Sequence, residues 1–235
     1  MNAATPRGWR APDVIAAREA ASRLGLPLDG ARVSIQGFGN VGSVAAELLH
    51  QAGARIIAAS DVNGGLYNPD GLDIPEMTRY AAEQRTIAGF EGGEEIEPDE
   101  VLEAECDILV PAALDNVITA ENVDRVQARL IAEGANGPIS LEADHELNSR
   151  GVTIIPDILC NAGGVTVSYF EWVQDRIGWF WNEEEVNERL ERIMVKAFQD
   201  VHEMAAEYSV SLRVAAYMLA IKRVLDVYRM RGLYA

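Results

Sequence analysis

The segment Gln36-Gly37-Phe38-Gly39-Asn40-Val41-Gly42 constrains the fold more than any other stretch of this chain. Its G-x-G-x-x-G spacing follows a short β run, Val33-Ser34-Ile35-Gln36, and opens an Ala/Leu-rich helical stretch at Val41. In a strand–turn–helix unit each glycine has its own task. The first permits a tight turn, the second lets a pyrophosphate approach the backbone, and the third lets helix and strand pack closely. The helix start adds unpaired N–H groups and the positive end of a dipole. Gly37, Phe38, Gly39, Asn40, Val41 and Gly42 are therefore the candidate cofactor loop. Asp61 stands 19 positions after Gly42, at the end of the second β run, where an acid accepts hydrogen bonds from the adenosine ribose. A structural turn with a surface aspartate is the competing reading.

The rest of the chain alternates in the same way. Residues 11–24 read as a helix, with Pro12 in the first turn and Gly25 beyond the end. Arg32–Gln36 and Arg55–Ser60 read as β runs flanking a helix over Val41–Ala52, and Asp61–Asp73 as a turn-rich stretch. A helix near 75–85 and an acidic loop over Glu91–Glu100 precede further strands at Asp107–Val110, Leu130–Glu133 and Val152–Ile155. A helix over Ser140–Ser149 lies between the last two. Short apolar strands separated by helices predict a Rossmann-type α/β fold, a doubly wound and mostly parallel sheet. After Asn161 the pattern is helical only, over 163–177, 183–207 and 211–230. This divides the chain into a dinucleotide-binding domain, 1–180, and a C-terminal helical segment, 181–235, packing on it. The stripe Val214, Met218, Ile221, Val224, Leu225 and Tyr228 is either core or a docking face.

Charge narrows the function. Twenty Lys and Arg against 37 Asp and Glu leave a formal net charge of −17 on 235 residues. Such a chain repels phosphate backbones and anionic bilayers, so neither nucleic acid nor membrane is an expected partner. The dipole of a helix start supplies a local positive field that needs no lysine. The sequence at the end of the second β run, Ser60-Asp61-Val62-Asn63-Gly64-Gly65, holds an acid and no base, and Arg55 lies at the other end of that run, which favours NAD over NADP. Cys106 and Cys160 match no metal spacing and read as buried reduced thiols, in keeping with a cytoplasmic protein. His50, His145 and His202 are scattered on helices, so no metal is expected.

The glycine loop resembles that of the glutamate dehydrogenases, and four further blocks agree in order. They are Pro111–Thr119 (PAALDNVIT), Glu133–Pro138 (EGANGP), Pro156–Leu159 (PDIL) and Asn161–Trp172 (NAGGVTVSYFEW). The last is the most specific. Leucine, phenylalanine and valine dehydrogenases share the fold but resemble that block less well. The resemblance implies that Asn40 contacts the pyrophosphate or ribose, and that Ala112 and Ala113 line the adenosine-ribose side. It implies that Asn136 and Asn161 hold the nicotinamide ribose and carboxamide, and that Val165 and Ser168 contact glutamate. Thr5 falls at a cofactor-contacting threonine, although Pro6 departs from the family pattern there. Plainer readings compete: asparagines beside glycines make turns, Ser168 can bond its own helix, and Trp172, Trp179 and Trp181 read as packing residues.

The resemblance also implies what to look for and not find. In that family, the groups that bind the substrate α-carboxylate, and the lysine of lowered pKa, belong to an N-terminal domain that has no counterpart here. Lys196 and Lys222, the only lysines, match none of its motifs, so no catalytic residue is assigned. The chain is expected to be the NAD-binding half of a glutamate dehydrogenase, an isolated or truncated form inactive alone. The full enzyme would convert L-glutamate to 2-oxoglutarate and ammonia as a homo-hexamer. A stand-alone NAD-binding sensor or regulatory subunit, and a dehydrogenase for branched or aromatic amino acids, are the alternatives.

Overall fold

Arg32–Gln36 (β1) is a central strand because both of its faces can be buried. Val33 and Ile35 lie on one side, Ser34 and Gln36 on the other, and all four are buried. The polar pair is tolerated in part because Ser34 donates to the Val101 carbonyl at 2.6 Å. The computed structural model describes residues 12–232, so the expected role of Thr5 falls outside the described residues.

On one side β1 pairs in parallel with Arg55–Ser60 (β2), and on the other with Ile108–Pro111 (β5). Leu130–Ala132 (β6) and Thr153–Ile155 (β7) extend the parallel series. The full sheet runs β4-β3-β2-β1-β5-β6-β7. The chain thus leaves β1 in opposite directions to reach β2 and β5, which makes the β1/β5 boundary the switch point of a doubly wound sheet. The last two strands on the β2 side, Gly65–Tyr67 (β3) and the edge strand Glu94–Ile96 (β4), are antiparallel. They lie in stretches expected to be turn and acidic loop. At three residues each they carry no readable alternation, and the Glu94 and Glu95 side chains are those of an exposed edge that resists further pairing.

Helices cover both faces. Pro12–Arg23 (α1), Gly42–Gln51 (α2) and Ile74–Gln84 (α3) come before β4, and Leu141–Ser149 (α4) comes between β6 and β7. The chain then continues through Asp157–Cys160 (α5), Ala162–Ile177 (α6), Glu183–Tyr208 (α7) and Leu212–Arg231 (α8). Successive strand residues serve opposite layers. Ile108 and Val110 join one core with Ala16, Leu49, Phe198 and Ala215, whereas Leu109 joins another with Ile57, Ile118, Ala143 and Leu147. A third cluster of Ile15, Phe170, Leu190 and Met194 binds α1, α6 and α7 together. The helical segment after residue 180 therefore shares a core with the sheet.

Side-chain caps mark the helix starts. Asp73, Ser140, Asn182 and Ser211 each accept a backbone N–H of the following turn. Cys106 and Cys160 are buried and unbonded, and burial pushes the Cys106 thiol up to about 12 and the Cys160 thiol well above its ordinary value, so neither is a reactive thiolate. None of the described helices is long and apolar enough to cross a membrane.

Asp13 is the costly buried acid of this fold. It is 4% exposed, and its Oδ2 has no hydrogen-bond partner among the described residues. Burial pushes its carboxyl from 3.8 up to about 6, opposed by the N–H groups of Asp13 and Val14. The folded state therefore holds this proton more tightly than the unfolded chain does. That contribution to stability is complete below about pH 4 and is lost as the pH rises through 6. We predict that Asp13→Asn removes the loss. Urea midpoints should show the variant more stable than its parent above pH 7, by up to about 3 kcal/mol, and no different near pH 3.5.

Candidate functional site

The parallel strands end along one edge of the sheet, and the predicted site residues follow those ends. Gly37 comes after β1, Asp61 after β2, Ala112 after β5, Asn136 beyond β6 and Asn161 beyond β7. Gly37 turns the chain with φ +94°, and its amide donates to the Ser60 carbonyl at 2.9 Å. The Ala112 amide donates to the Gln36 carbonyl at 2.8 Å, which joins the turns after β1 and β5. A Cβ on Gly37 would stand 2.9 Å from the Ala113 Cβ, and one on Gly42 would stand 1.7 Å from the Gly37 carbonyl oxygen. A Cβ on Gly134 would likewise stand only 3.2 Å from the Ala112 Cβ and 3.3 Å from Val41 Cγ1. Neither Gly37 nor Gly42 can therefore carry a side chain.

Gly39 is different. A Cβ there would meet nothing within 4 Å, and Gly39, Asn40 and Val41 are exposed. No side chain caps the start of α2, whose Ser43 amide donates back to the Gly39 carbonyl at 3.0 Å, so only backbone groups line the helix start and the loop before it. Beneath them Gln36 is buried, and its Oε1 has no partner among the described residues. An uncapped helix start, a loop open at its middle glycine and the switch-point position together fit the diphosphate of a dinucleotide.

Asp61 is placed at the end of β2 as expected, but its carboxylate already has partners. Oδ1 accepts from the Asn63 and Gly64 amides at 2.8 and 3.2 Å. Oδ2 accepts from Thr86 Oγ1 and the Ile87 amide, both at 2.7 Å. These contacts clamp the turn after β2 to the turn after α3. Thr86 and Ile87 were not legible as members of the site, because nothing local in the sequence links them to a residue some 25 positions away.

Asn136 and Asn161 come together: Asn161 Nδ2 donates to Asn136 Oδ1 at 2.7 Å. Their loops are fixed by acids. The Asp157 amide donates to Glu133 Oε2 at 2.7 Å, and the Gly137 amide donates to Asp157 Oδ2 at 2.8 Å. Arg213 of α8 lies behind both, donating to Glu133 Oε1 at 2.6 Å and to Asp144 Oδ1 at 2.8 Å. Burial pushes the Glu133 carboxyl upward, opposed by Arg213, and Arg213 in turn is held above its ordinary value by Glu133 and Asp144 despite its own burial.

Val165 and Ser168 occupy one face of α6, directly after Asn161, and both are exposed. Ser168 Oγ donates to the Gly164 carbonyl at 3.2 Å, the helix-bonded arrangement that competed with a ligand role. Trp172 and Trp179 are not packing residues: they are 57% and 69% exposed, because they share the outer surface of α6 and its exit with Val165, Tyr169, Ile177 and Phe180. Trp181 does pack, against Phe170 with ring centres 5.5 Å apart, under the Arg189 guanidinium. The α8 stripe is exposed at Val214, Ile221, Val224, Leu225 and Tyr228, so it is not core within this chain. Among the described residues no group of His, Cys, Asp and Glu could hold a metal ion.

Residues 2–232 match the family model described as glutamate/leucine/phenylalanine/valine dehydrogenase. The chain is 49% identical over 221 residues to the catabolic NAD-specific glutamate dehydrogenase RocG of Bacillus subtilis, covering 93% of this chain and 51% of that protein. It is 50% identical over 212 residues to a glutamate dehydrogenase of Thermotoga maritima, covering 90% and 51%. Among solved structures, the hetero-hexameric glutamate dehydrogenase of Thermus thermophilus in its Leu-bound form superposes with a TM-score of 0.89 at 34% identity, over 95% of this chain and 53% of that one. The chain thus spans about half the length of the relatives it matches.

The buried Gly42 and the exposed Gly39 separate cleanly by experiment. Gly42→Ala must displace the Gly37 carbonyl and should lower unfolding free energy by about 1–3 kcal/mol. Gly39→Ala, with open space around its Cβ, should change it by no more than about 0.5 kcal/mol. Denaturant titration of both variants checks the pair.

Proposed function

Because the chain belongs to the glutamate/leucine/phenylalanine/valine dehydrogenase family, we propose that it is the NAD-binding half of a glutamate dehydrogenase that oxidises L-glutamate to 2-oxoglutarate and ammonia. The observation that carries this reading is the open backbone at Gly39 beside the uncapped start of α2, at the switch point of the sheet. When bound, NAD accepts a hydride from the amino-acid carbon. The chain's residues bind and orient. Gly37 to Gly42 and the α2 N–H groups receive the diphosphate, with Asn40 at its edge, and Ala112 and Ala113 form the wall on the adenosine-ribose side. Asn136 and Asn161, already bonded to each other, present amides to the nicotinamide half. Val165 and Ser168 form one wall of the substrate site on α6.

Preference for NAD follows from Asp61. Its four protein donors hold the carboxylate still at the end of β2, so a fixed negative charge opposes a 2′-phosphate whether or not it also accepts from a ribose hydroxyl. The similarity to RocG, an NAD-specific glutamate dehydrogenase, supports this reading.

Neither lysine supplies amine chemistry. Lys196 pairs with Asp200 at 2.7 Å and Lys222 with Asp226 at 2.9 Å, each one helical turn away on an exposed surface. We assign the α-carboxylate site and the catalytic lysine to the half of the enzyme that these residues do not span. The exposed apolar faces of α6 and α8 are the surfaces that this half, or neighbouring subunits of a hexamer, would cover.

Calorimetry of the 235-residue chain should show NAD binding in the micromolar-to-millimolar range, weakened at least tenfold by Gly39→Ala; an absence of NAD binding would refute the reading. Asp61→Asn should narrow the advantage of NAD over NADP, and an unchanged ratio would sink the charge argument. Glutamate added to the chain with NAD should yield no NADH by absorbance; turnover by the pure chain would show that the amine chemistry lies within these residues after all.

A further inference from the structure

Arg213 stands at the start of α8, far in sequence from every cofactor-facing residue, yet its side chain is 18% exposed and each of its three guanidinium nitrogens donates to a carboxylate. Nη2 and Nη1 form a bidentate pair with Glu133 at 2.6 and 3.1 Å, Nε donates to Asp144 at 2.8 Å, and Nη1 lies 3.7 Å from Asp157 Oδ1. One cation thus joins acids on the exits of β6 and β7 and on α4. Two of these acids carry the asparagine loops. Glu133, with no exposed surface, immediately precedes Gly134-Ala135-Asn136 and accepts the Asp157 amide. Asp157 accepts the Gly137 amide and opens α5, whose end is Asn161.

The asparagine loops have two kinds of support. Toward β5 they are held by backbone bonds: Ala135 donates to the Pro111 carbonyl, Asn116 to Gly137, and Val117 to Pro138. Toward β7 and α8 they are held by Glu133 and Asp157, both under Arg213. The first set fixes the loop on the sheet. The second fixes the distance between the Asn136 and Asn161 segments, which meet at 2.7 Å. A buried ion pair by itself is weak evidence of a stabilising role, since apolar substitutes often stabilise as well. What an arginine supplies, and a lysine does not, is a planar fork that fixes several carboxylates at once.

From this geometry we infer that Arg213 is a positioning residue for the nicotinamide half of the cofactor, setting the Asn136–Asn161 amide pair through Glu133 and Asp157. The inference rests on the cofactor reading above. It separates the two halves of the ligand: among the described residues no hydrogen bond or ion pair joins the glycine loop or Ala112 to Arg213, Glu133 or Asp157, so the adenosine diphosphate end depends on Arg213 far less.

Calorimetric titration of the 235-residue chain with NAD and with ADP, which lacks the whole nicotinamide riboside, tests this. The unmodified chain should bind NAD more tightly than ADP. Arg213→Lys should weaken NAD at least fivefold while ADP stays within twofold, because a mere loss of folded protein reduces both equally. Asp157→Ala, which removes the Gly137 contact without leaving Glu133 unpaired, should shift the same ratio and decides the matter should Arg213→Lys fail to fold. Equal losses for both ligands, or no loss for either, would overturn the positioning role. Equal affinity of the unmodified chain for NAD and ADP would overturn it too, while leaving the cofactor reading intact. Binding of neither ligand would overturn both.

Discussion

The start of α2 and the turn that leaves β1 approach so closely that neither glycine at their contact has room for a side chain. No atom larger than hydrogen fits on Gly42 beside the Gly37 carbonyl, and none fits on Gly37 beside Ala113. Everything at the edge of the sheet depends on those two contacts. They set α2 directly against its strand, which aims its N–H groups at the switch point. They also bring the β5 exit within reach, so that Ala112 can bond Gln36 and Gly134 can close against Ala112 and Val41. Any side chain at Gly37 or Gly42 would open a gap that three strand exits share.

Around that fixed centre, the acids of a chain with a net charge of −17 do structural work. Asp61 accepts four donors and joins the exits of β2 and α3. Glu133, Asp144 and Asp157 surround one guanidinium and join the exits of β6 and β7 to α4 and α8. The two clusters stand on opposite sides of the glycine loop, one at each end of the site. Carboxylates suit this task because each offers about four acceptor positions in a plane. Strand exits are rich in amides that no longer have a ladder partner. Arginine suits the centre of this cluster, since its planar fork takes one carboxylate by two bonds while Nε donates to another.

Sequence reasoning reached the features with local signatures. The five parallel strands, the glycine loop and the long C-terminal helices all have periodicity or spacing that a window of a dozen residues contains. The pairing of Asn136 with Asn161 was legible only as two loops expected to serve one ligand. What was missed is non-local. β3 and β4 are three-residue strands that exist because they pair with each other and with β2. The engagement of Asp61 depends on Thr86 and Ile87, and the support of Asn136 depends on Arg213, 80 positions beyond Glu133. Tryptophan composition misled for the same reason: Trp172 has helical spacing like Phe170, but only the tertiary fold decides which side of α6 faces Leu190 and Met194.

α8 unites two features, of which only the apolar stripe was legible in the sequence. One of its faces carries Arg213, Ala215 and Ala216 into the molecule, and another carries Val214, Tyr217, Ile221 and Val224 outward. Ala215 and Ala216 are small, so the helix lies close on β7 and α7, and Arg213 can reach the strand exits from its first turn. A larger residue at either alanine would lift the helix and lengthen that reach, and a guanidinium bonded at 2.6 Å to a wholly buried carboxylate has no slack to give. The geometry of the asparagine pair is therefore set partly by how tightly α8 lies against the sheet. Two alanines, with no chemistry of their own, belong to the support of the site as much as the acids do.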